Sequence, residues 1–467
     1  MPPEAPVVLK LRLLQRRRSA WIAAATLLAL ATAGGLLVVD RQAIKVAAMQ
    51  WWVGSPPAAQ LFDPYDAQSD ASIPVRAGER TLPDSGRRLY FSPWNWAFSD
   101  GQAVSNTPGA YFKIRFTGRH LVARFDTAWL RASAYPASSY PAVTASVDGG
   151  PPRRLALGPD RAELDLVDGL PLDPDPDHVH TAVVHFTATH FDRGDRWNTP
   201  VAALRLIGLD LEPGATLGTA PVRPRQILVY ADSHGEGVEL AGAGSRTVNQ
   251  DARRAFPQLM AEAWDAEVGV VAFGGSGYVT QVPGAELPPT TDTWASVWDE
   301  VSRLCDEGRL LPPPDAILSA LGDNDPDHAD VSRAAAGLAR AWRRAAPDAE
   351  LLFALPPNGG ADGFRERLLA GLAPVIDPRL LILDPGQDFL AQPALSFGNH
   401  LNADGQIAYA RALLAAYRSH PGSTTRTRPC PVNAALHLDQ DTSGVTDRFG
   451  CLVRLRSPSV RFVCDAH

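Results

Sequence analysis

The second half of the chain alternates strand-like and helix-like segments, and this alternation constrains the fold more than any other feature. Strands that alternate with helices along a chain form a parallel sheet with helices on both faces. The sequence therefore predicts an α/β domain over residues 222–420. Its predicted strands are residues 226–230, 267–273, 316–321, 350–354 and 380–383, and its predicted helices are residues 252–264, 334–345, 364–372 and 403–417.

The preceding segment has a different pattern. Short runs with alternating apolar and polar residues are separated by turn signals such as Asp148-Gly149-Gly150 and Asp168-Gly169. This spacing is typical of an antiparallel sandwich. The sequence predicts an all-β sandwich over residues 81–218, with a role as scaffold or as substrate platform.

The amino-terminal sequence predicts where in the cell the folded body lies. Residues 1–18 carry five cations and residues 19–39 are uncharged, a length close to the ~20 residues that cross a bilayer as a helix. We expect a basic cytoplasmic segment, a transmembrane signal anchor over 19–39 and a linker over 40–80, with the body in the periplasm. Cleavage after Ala33, which would release a secreted protein, is the alternative because Ala31-Thr32-Ala33 resembles a signal-peptidase site.

Composition excludes some partners. The net charge of −7 over 467 residues, without a basic stripe in the body of the chain, argues against a nucleic-acid partner. Four cysteines fit an oxidising compartment, where a disulfide can form among Cys430, Cys451 and Cys464 in a tail over residues 421–467, with the pairing left open. No cysteine or histidine spacing indicates zinc, so we expect neither a metal nor a cofactor.

Ser233 is the candidate nucleophile. Residues 227–237 read ILVYADSHGEG, so an apolar strand gives way at this serine to a glycine-containing turn. The carboxyl ends of parallel strands are where α/β proteins bind ligands. A turn without chemistry is the alternative for this run taken alone.

Three further residues follow later elements of the same domain. Gly277 lies in a glycine-rich loop after the second predicted strand, and Asn324 follows the third within Gly-Asp-Asn-Asp. His400 lies in the loop that precedes the last predicted helix. One crevice can therefore collect a hydroxyl, an imidazole, an amide and a loop of exposed backbone N–H groups.

The order of these blocks resembles that of the SGNH (GDSL-like) hydrolase superfamily, which is named for its Ser, Gly, Asn and His. Ala231-Asp232-Ser233 matches the first block, with Ala in place of the usual Gly, and Gly277, Asn324 and His400 match the other three. The resemblance covers residues 226–418. It implies an α/β, flavodoxin-like domain and a serine esterase.

The resemblance assigns roles that suit the chemistry of each group. A serine hydroxyl needs a base, and His400 is the candidate because neutral imidazole titrates near physiological pH. The backbone N–H groups of Ser233 and Gly277 and the amide of Asn324 would receive the oxyanion. Asp232 would support the turn, and the neighbouring His234 either contacts substrate or is an exposed turn histidine.

The sequence departs from the superfamily at one position. Most members carry an aspartate three residues before the histidine, where this chain has Phe397. Asp384, Asp388 or a backbone carbonyl is then expected to orient His400. A serine–histidine dyad held by a carbonyl occurs in carbohydrate esterase family 2, which also carries a jelly-roll sandwich before its hydrolase domain.

That second resemblance implies a substrate, an O-acetylated polysaccharide or other glycan. Trp294, Trp298 and Tyr278 are candidates for an aromatic face against a sugar ring, or for core packing. Two other functions remain open at this point. One is acyl transfer to a glycan from the same serine, and the other is non-catalytic carbohydrate binding or assembly on a degenerate hydrolase fold.

Overall fold

The computed structural model describes most of the chain between residues 73 and 420. The described residues are 73–82, 88–99, 101–190, 202–244, 246–280, 296–298, 301–302, 310, 312–325, 329–361, 363–420, 445–446, 451–456 and 459–464. The predicted anchor over residues 19–39 lies outside these ranges, as do Trp294 and the side chain of Trp298. None of the helices in these ranges has the length and apolar character that a bilayer crossing requires.

The first domain consists of two sheets that share one core. The strands are β1 Val75–Ala77, β2 Arg80–Thr81, β3 Tyr90–Phe91, β4 Ala97–Ser99, β5 Gln102–Ser105, β6 Tyr111–Thr117, β7 Leu121–Phe125, β8 Ala142–Val147, β9 Arg153–Ala156, β10 Glu163–Asp165, β11 Val179–Ala188, β12 Leu204–Leu211 and β13 Leu217–Gly218, with helix α1 at Ala128–Ala132 after β7. The seven-stranded sheet has the order β10-β7-β12-β1-β2, with β5 also paired to β12 and β4 paired to β5. The six-stranded sheet has the order β13-β6-β11-β8-β9, with β3 beside β6.

Alternation along the strands builds this core. In β11 every second residue from His180 to Phe186 is buried, and those side chains meet the inward faces of β7 and β12 from the other sheet. The predicted all-β sandwich is thus observed. The sandwich begins before the predicted residue 81, because β1 pairs in parallel with β12 and the buried side chains of Ile73 and Val75 belong to the core.

The second domain is the predicted α/β unit. Its elements are β14 Arg225–Ala231, α2 Phe256–Ala263, β15 Ala266–Ala272, the hairpin β16 Ser296–Trp298 and β17 Val301–Ser302, β18 Ala316–Ala320, α3 Val331–Ala345, β19 Glu350–Ala354, α4 Phe364–Leu372, β20 Leu380–Leu383, the hairpin β21 Ser396–Phe397 and β22 His400–Leu401, and α5 Ala403–Ser419. The five parallel strands have the order β15-β14-β18-β19-β20, the flavodoxin-like arrangement in which the first strand lies between the second and third. The helices form two packed pairs, α2 with α5 and α3 with α4.

The sandwich covers the open edge of this sheet. Asn95 bonds both backbone groups of Val270 in the edge strand β15, with its Nδ2 donating to the carbonyl at 2.6 Å and its Oδ1 accepting from the N–H at 3.0 Å. Gly269 permits the approach, since a Cβ there would lie 2.2 Å from the carbonyl oxygen of Pro93. A loop of the first domain therefore takes the place of a sixth strand.

A buried charge cluster fixes the same interface. Glu267 in β15 accepts hydrogen bonds from the Lys113 ammonium at 2.5 Å, from the Arg223 backbone N–H at 2.7 Å and from the Tyr111 hydroxyl. Burial alone would raise the pKa of Glu267, but Lys113 and Arg223 outweigh burial and lower it. The carboxylate stays charged and joins the two domains.

Three further strands lie in the predicted tail: β23 Val445–Thr446, β24 Cys451–Arg456 and β25 Ser459–Cys464. The antiparallel register of β24 and β25 places Cys451 opposite Cys464.

Candidate active site

The candidate site lies where β14, β15 and β18 end. These strands are neighbours and run parallel, so the segments that follow them meet at one edge of the sheet. Ser233 follows β14, Gly277 lies in the segment after β15, and Asn324 follows β18. His400 reaches the same edge from β22, directly before α5.

The structure brings Ser233 and His400 together. His400 Nε2 lies 3.0 Å from Ser233 Oγ, although 167 residues separate them. The serine side chain is nearly buried, at 8% exposure, at the start of a tight turn in which the Ser233 carbonyl accepts from the Val238 N–H at 3.1 Å. The hydroxyl can therefore pass its proton directly to the imidazole.

Glu239 completes the arrangement from an unexpected position. Its Oε2 lies 3.0 Å from His400 Nδ1, and its Oε1 accepts from the Gly244 N–H at 2.7 Å. A carboxylate only accepts hydrogen bonds, so the proton of neutral His400 is on Nδ1 and Nε2 is free to accept from Ser233. The backbone φ of Glu239 is +57°, a left-handed conformation that non-glycine residues adopt rarely and that often marks functional sites.

The two expected orienting aspartates lie elsewhere. Asp384 forms an ion pair with Arg365, and the Asp388 carboxylate accepts from the N–H groups of Leu390 and Ala391 at 2.8 and 3.0 Å. Glu239, and neither aspartate nor a backbone carbonyl, is the partner of His400 Nδ1 in the structure. The local sequence of the turn after Ser233 held the only signal, a carboxylate six residues downstream of the nucleophile.

The surroundings of His400 favour its neutral form. Burial and the neighbouring His234, whose ring centroid lies 5.6 Å away, lower the pKa of His400 below its usual value of 6.5, and Glu239 opposes this shift in part. The imidazole is therefore unprotonated at neutral pH. A general base must be in this state before it can act.

Two backbone N–H groups are candidates for the oxyanion. Those of Ser233 and Gly277 donate no hydrogen bond to any residue in the described ranges. Gly277 has no room for a side chain, because a Cβ there would lie 2.3 Å from Asp325 Oδ2. A glycine at this position therefore lets the Asp325 carboxylate approach the loop.

Asp325 holds this loop in place. Its fully buried carboxylate accepts from the N–H groups of Tyr278 at 2.6 Å and Thr280 at 2.9 Å and from the Thr280 hydroxyl at 2.6 Å. At the other end of the loop, the Gly274 N–H donates to Glu236 Oε2 at 2.7 Å. The loop is therefore positioned by carboxylates at both ends.

Asn324 links two of the other loops. Its Nδ2 donates to Asp232 Oδ2 at 3.1 Å and to the Ser276 carbonyl at 3.0 Å. The bond to Ser276 fixes the peptide that leads into Gly277. Both amide hydrogens thus have protein acceptors, and Asn324 must release one of them before it can donate to an oxyanion.

His234 and Asp232 form a second buried group. His234 is 2% exposed, so it is not the exposed turn histidine that was one of the two expectations, and its Nε2 lies 2.7 Å from Asp323 Oδ2. Burial raises the pKa of Asp232 to about 7, with Asp323 adding to the effect and His234 opposing it. Burial disfavours the charged form of His234, but Asp232 and Asp323 outweigh it and raise the pKa of His234.

Tyr278 is not available as a sugar platform. Its ring is fully buried, and its hydroxyl lies 2.6 Å from Ser319 Oγ. The core-packing alternative therefore holds for this residue.

Two groups in the described ranges offer three metal-ligating side chains with ligand atoms within 4.8 Å of one another. One is Asp148, His178 and His180 in the sandwich, and the other is Asp232, His234 and Asp323 beside Ser233. In the second group the Asp232 carboxylate already accepts from the His234 N–H and from Asn324. Those side chains brace the loop that carries Ser233.

One curated protein shows recognisable sequence similarity. The chain is 29% identical over 189 residues to an acetylxylan esterase / glucomannan deacetylase of Cellvibrio japonicus, a match that covers 38% of this chain and 47% of that protein. The chain thus spans about half the length of this relative. No family model matches the sequence.

Solved structures share the fold over a longer range. A family two carbohydrate esterase from Cellvibrio japonicus superposes with a TM-score of 0.57 at 18% identity, covering 71% of this chain and 95% of that one. A family two carbohydrate esterase from Clostridium thermocellum in complex with cellohexaose gives 0.57 at 18% identity and covers 71% and 98%. The predicted resemblance to carbohydrate esterase family 2 is thus confirmed at the level of the fold.

Proposed function

We propose that this protein is a serine esterase that removes O-acetyl groups from a polysaccharide through an acyl-enzyme. The observation that carries the proposal is the continuous set of hydrogen bonds from Ser233 through His400 to Glu239, each 3.0 Å long. The similarity to an acetylxylan esterase / glucomannan deacetylase supports the substrate class.

The first half of the reaction forms the acyl-enzyme. Ser233 Oγ attacks the acetyl carbonyl carbon while its proton passes to His400 Nε2, and Glu239 stabilises the imidazolium that results. The oxyanion is received by the N–H groups of Ser233 and Gly277, with Asn324 as the third donor once its amide turns from Ser276. When this tetrahedral intermediate collapses, the bond between the acetyl carbon and the sugar oxygen breaks. The sugar oxygen leaves with the proton from His400.

The second half reverses these roles. Water enters, gives its proton to His400 Nε2 and attacks the acetyl carbonyl. The tetrahedral intermediate then expels Ser233 Oγ, which recovers the proton, and acetate leaves. His400 acts in both halves and needs the Nδ1 proton in both, so Glu239 contributes to each step.

The proposal also includes a role for the sandwich and a membrane location for the amino terminus. We assign the sandwich a jelly-roll topology and the role of a scaffold that covers the edge strand β15. We further propose that residues 19–39 anchor the protein in the inner membrane with its body in the periplasm, or direct secretion if cleavage follows Ala33. The uncharged run after a basic segment supports this location.

Release of acetate from acetylated xylan tests the substrate class. We expect the purified protein to release acetate from acetylated xylan, measured by an enzyme-coupled acetate assay, and to leave chemically deacetylated xylan unchanged. Acetylated glucomannan serves as a second polymer. If the protein hydrolyses the small ester triacetin but releases no acetate from either polymer, the proposed substrate is contradicted and the proposed esterase activity still stands.

A further inference from the structure

The hairpin that carries His400 has one buried face and one exposed face. Ser396 pairs with Leu401, and both are buried, at 6% and 0% exposure. Phe397 pairs with His400. Residues directly opposite each other in an antiparallel pair have their side chains on the same face, so Phe397 shares the outer face with the proposed base.

The inner face fixes the hairpin to the domain. Ser396 Oγ donates to the Leu390 carbonyl at 2.9 Å, and the Asn402 N–H donates to the Leu395 carbonyl at 2.9 Å. Asn402 then caps α5 by accepting from the Gly405 N–H at 2.9 Å. Phe397 is therefore presented on a braced two-residue strand.

Phe397 remains exposed in this setting. It is 41% exposed, one of six large apolar side chains with such exposure in the described residues. A single exposed apolar residue is ordinary on a protein surface. Phe397 differs from the other exposed apolar residues in its position, because its cross-strand partner is His400, the proposed base for Ser233.

The place of Glu239 explains why an apolar residue fits here. Glu239 reaches His400 Nδ1 from the turn after Ser233, so the position three residues before His400 needs no carboxylate. His234 occupies another side of the His400 ring, with the ring centroids 5.6 Å apart. Position 397 is therefore free to contact the part of the substrate that extends beyond the acetyl group.

We propose that Phe397 forms a sugar-binding subsite, in which its ring packs against the apolar face of a pyranose next to the scissile ester. This inference rests on the proposed esterase function. Phenyl rings pack on C–H-rich surfaces and gain from the apolar area they remove from water. The subsite would align the glycan across the hairpin so that the acetyl carbonyl meets Ser233 Oγ.

The test compares two substrates that share the acetyl ester but differ in the sugar. For Phe397→Ala we expect KM for acetylated xylo-oligosaccharides to rise about tenfold, the size expected for half of a phenyl surface. We expect kcat/KM for triacetin, which has no ring, to stay within about twofold. Phe397→Trp keeps an aromatic ring and should keep KM for the oligosaccharides near the wild-type value. Ile376→Ala, at an apolar residue that is 98% exposed, is the matched control and should leave both substrates unchanged.

The other outcomes distinguish failure of the Phe397 subsite from failure of the proposed polysaccharide substrate. Equal losses on both substrates would mean that Phe397 positions His400 and does not contact sugar, which overturns the subsite. Unchanged kinetics on both would also overturn it. If the wild-type protein hydrolyses triacetin but no acetylated sugar, the proposed polysaccharide substrate fails. In that case binding of xylohexaose to the wild type and to Phe397→Ala, measured by calorimetry, decides the subsite alone, and equal affinities overturn it.

Discussion

Ser233→Ala is expected to lower kcat/KM for both triacetin and acetylated xylan by about 10⁴-fold or more. The substitution removes the hydroxyl oxygen that, in the proposed mechanism, forms the acyl-enzyme. It removes one oxygen from a side chain that is 8% exposed, so the fold should be unchanged. Initial rates of acetate release, with circular dichroism and Tm on the same samples, provide the measurement.

The matched control for this prediction is Ser419→Ala. Ser419 is an exposed serine in the last turn of α5, and its hydroxyl donates to the Ala416 carbonyl. This variant should retain wild-type rates. Residual activity of Ser233→Ala within tenfold of the wild type would mean that the esterase reaction does not use this serine.

Glu239→Gln is expected to lower kcat for acetyl esters by about 10²–10⁴-fold. The amide can occupy the same space, but it carries no charge to stabilise the imidazolium of His400, and it can present an N–H group to Nδ1 and favour the wrong tautomer. Steady-state rates with triacetin measure this loss. Glu239→Asp keeps the charge on a shorter side chain and should fall between the wild type and Glu239→Gln.

The pH dependence separates a catalytic from a structural role for Glu239. The base acts only when neutral, so kcat/KM should fall at acidic pH as His400 becomes protonated. Burial and His234 lower the pKa of His400, so the wild-type acid limb should lie below the usual 6.5. Glu239 raises that pKa, and its removal should therefore shift the limb to still lower pH. If Glu239 only held Gly244, the limb would not move.

The parts of the fold that depend on local pattern were predictable from the sequence. Buried parallel strands read as apolar runs, and the predicted strand over 350–354 and helix over 364–372 coincide with β19 and α4. The pairing of β1 with β12 was not predictable, because its partners are more than 130 residues apart. Residues 73–80 therefore looked like a continuation of the linker.

The candidate site was predictable to a similar extent. Ser233, Gly277, Asn324 and His400 each stand beside a strand or helix end, so the order of elements brings their loops together. Glu239 stands beside no strand or helix end, and its role depends on a turn with a left-handed residue and on a histidine 161 positions later. The sequence also left two environments possible for His234. Its partner Asp323 comes from another loop, so their contact was not visible in the local sequence.

Labelling by a serine-reactive fluorophosphonate tests the central claim most directly. The claim is that His400, oriented by Glu239, activates Ser233. We predict that the wild-type protein gains one phosphonyl group, located by peptide mass spectrometry on Ser233, that Glu239→Gln is labelled at least about tenfold more slowly, and that Ser233→Ala is not labelled. Labelling at another serine, or equal labelling rates in the wild type and Glu239→Gln, would contradict the claim.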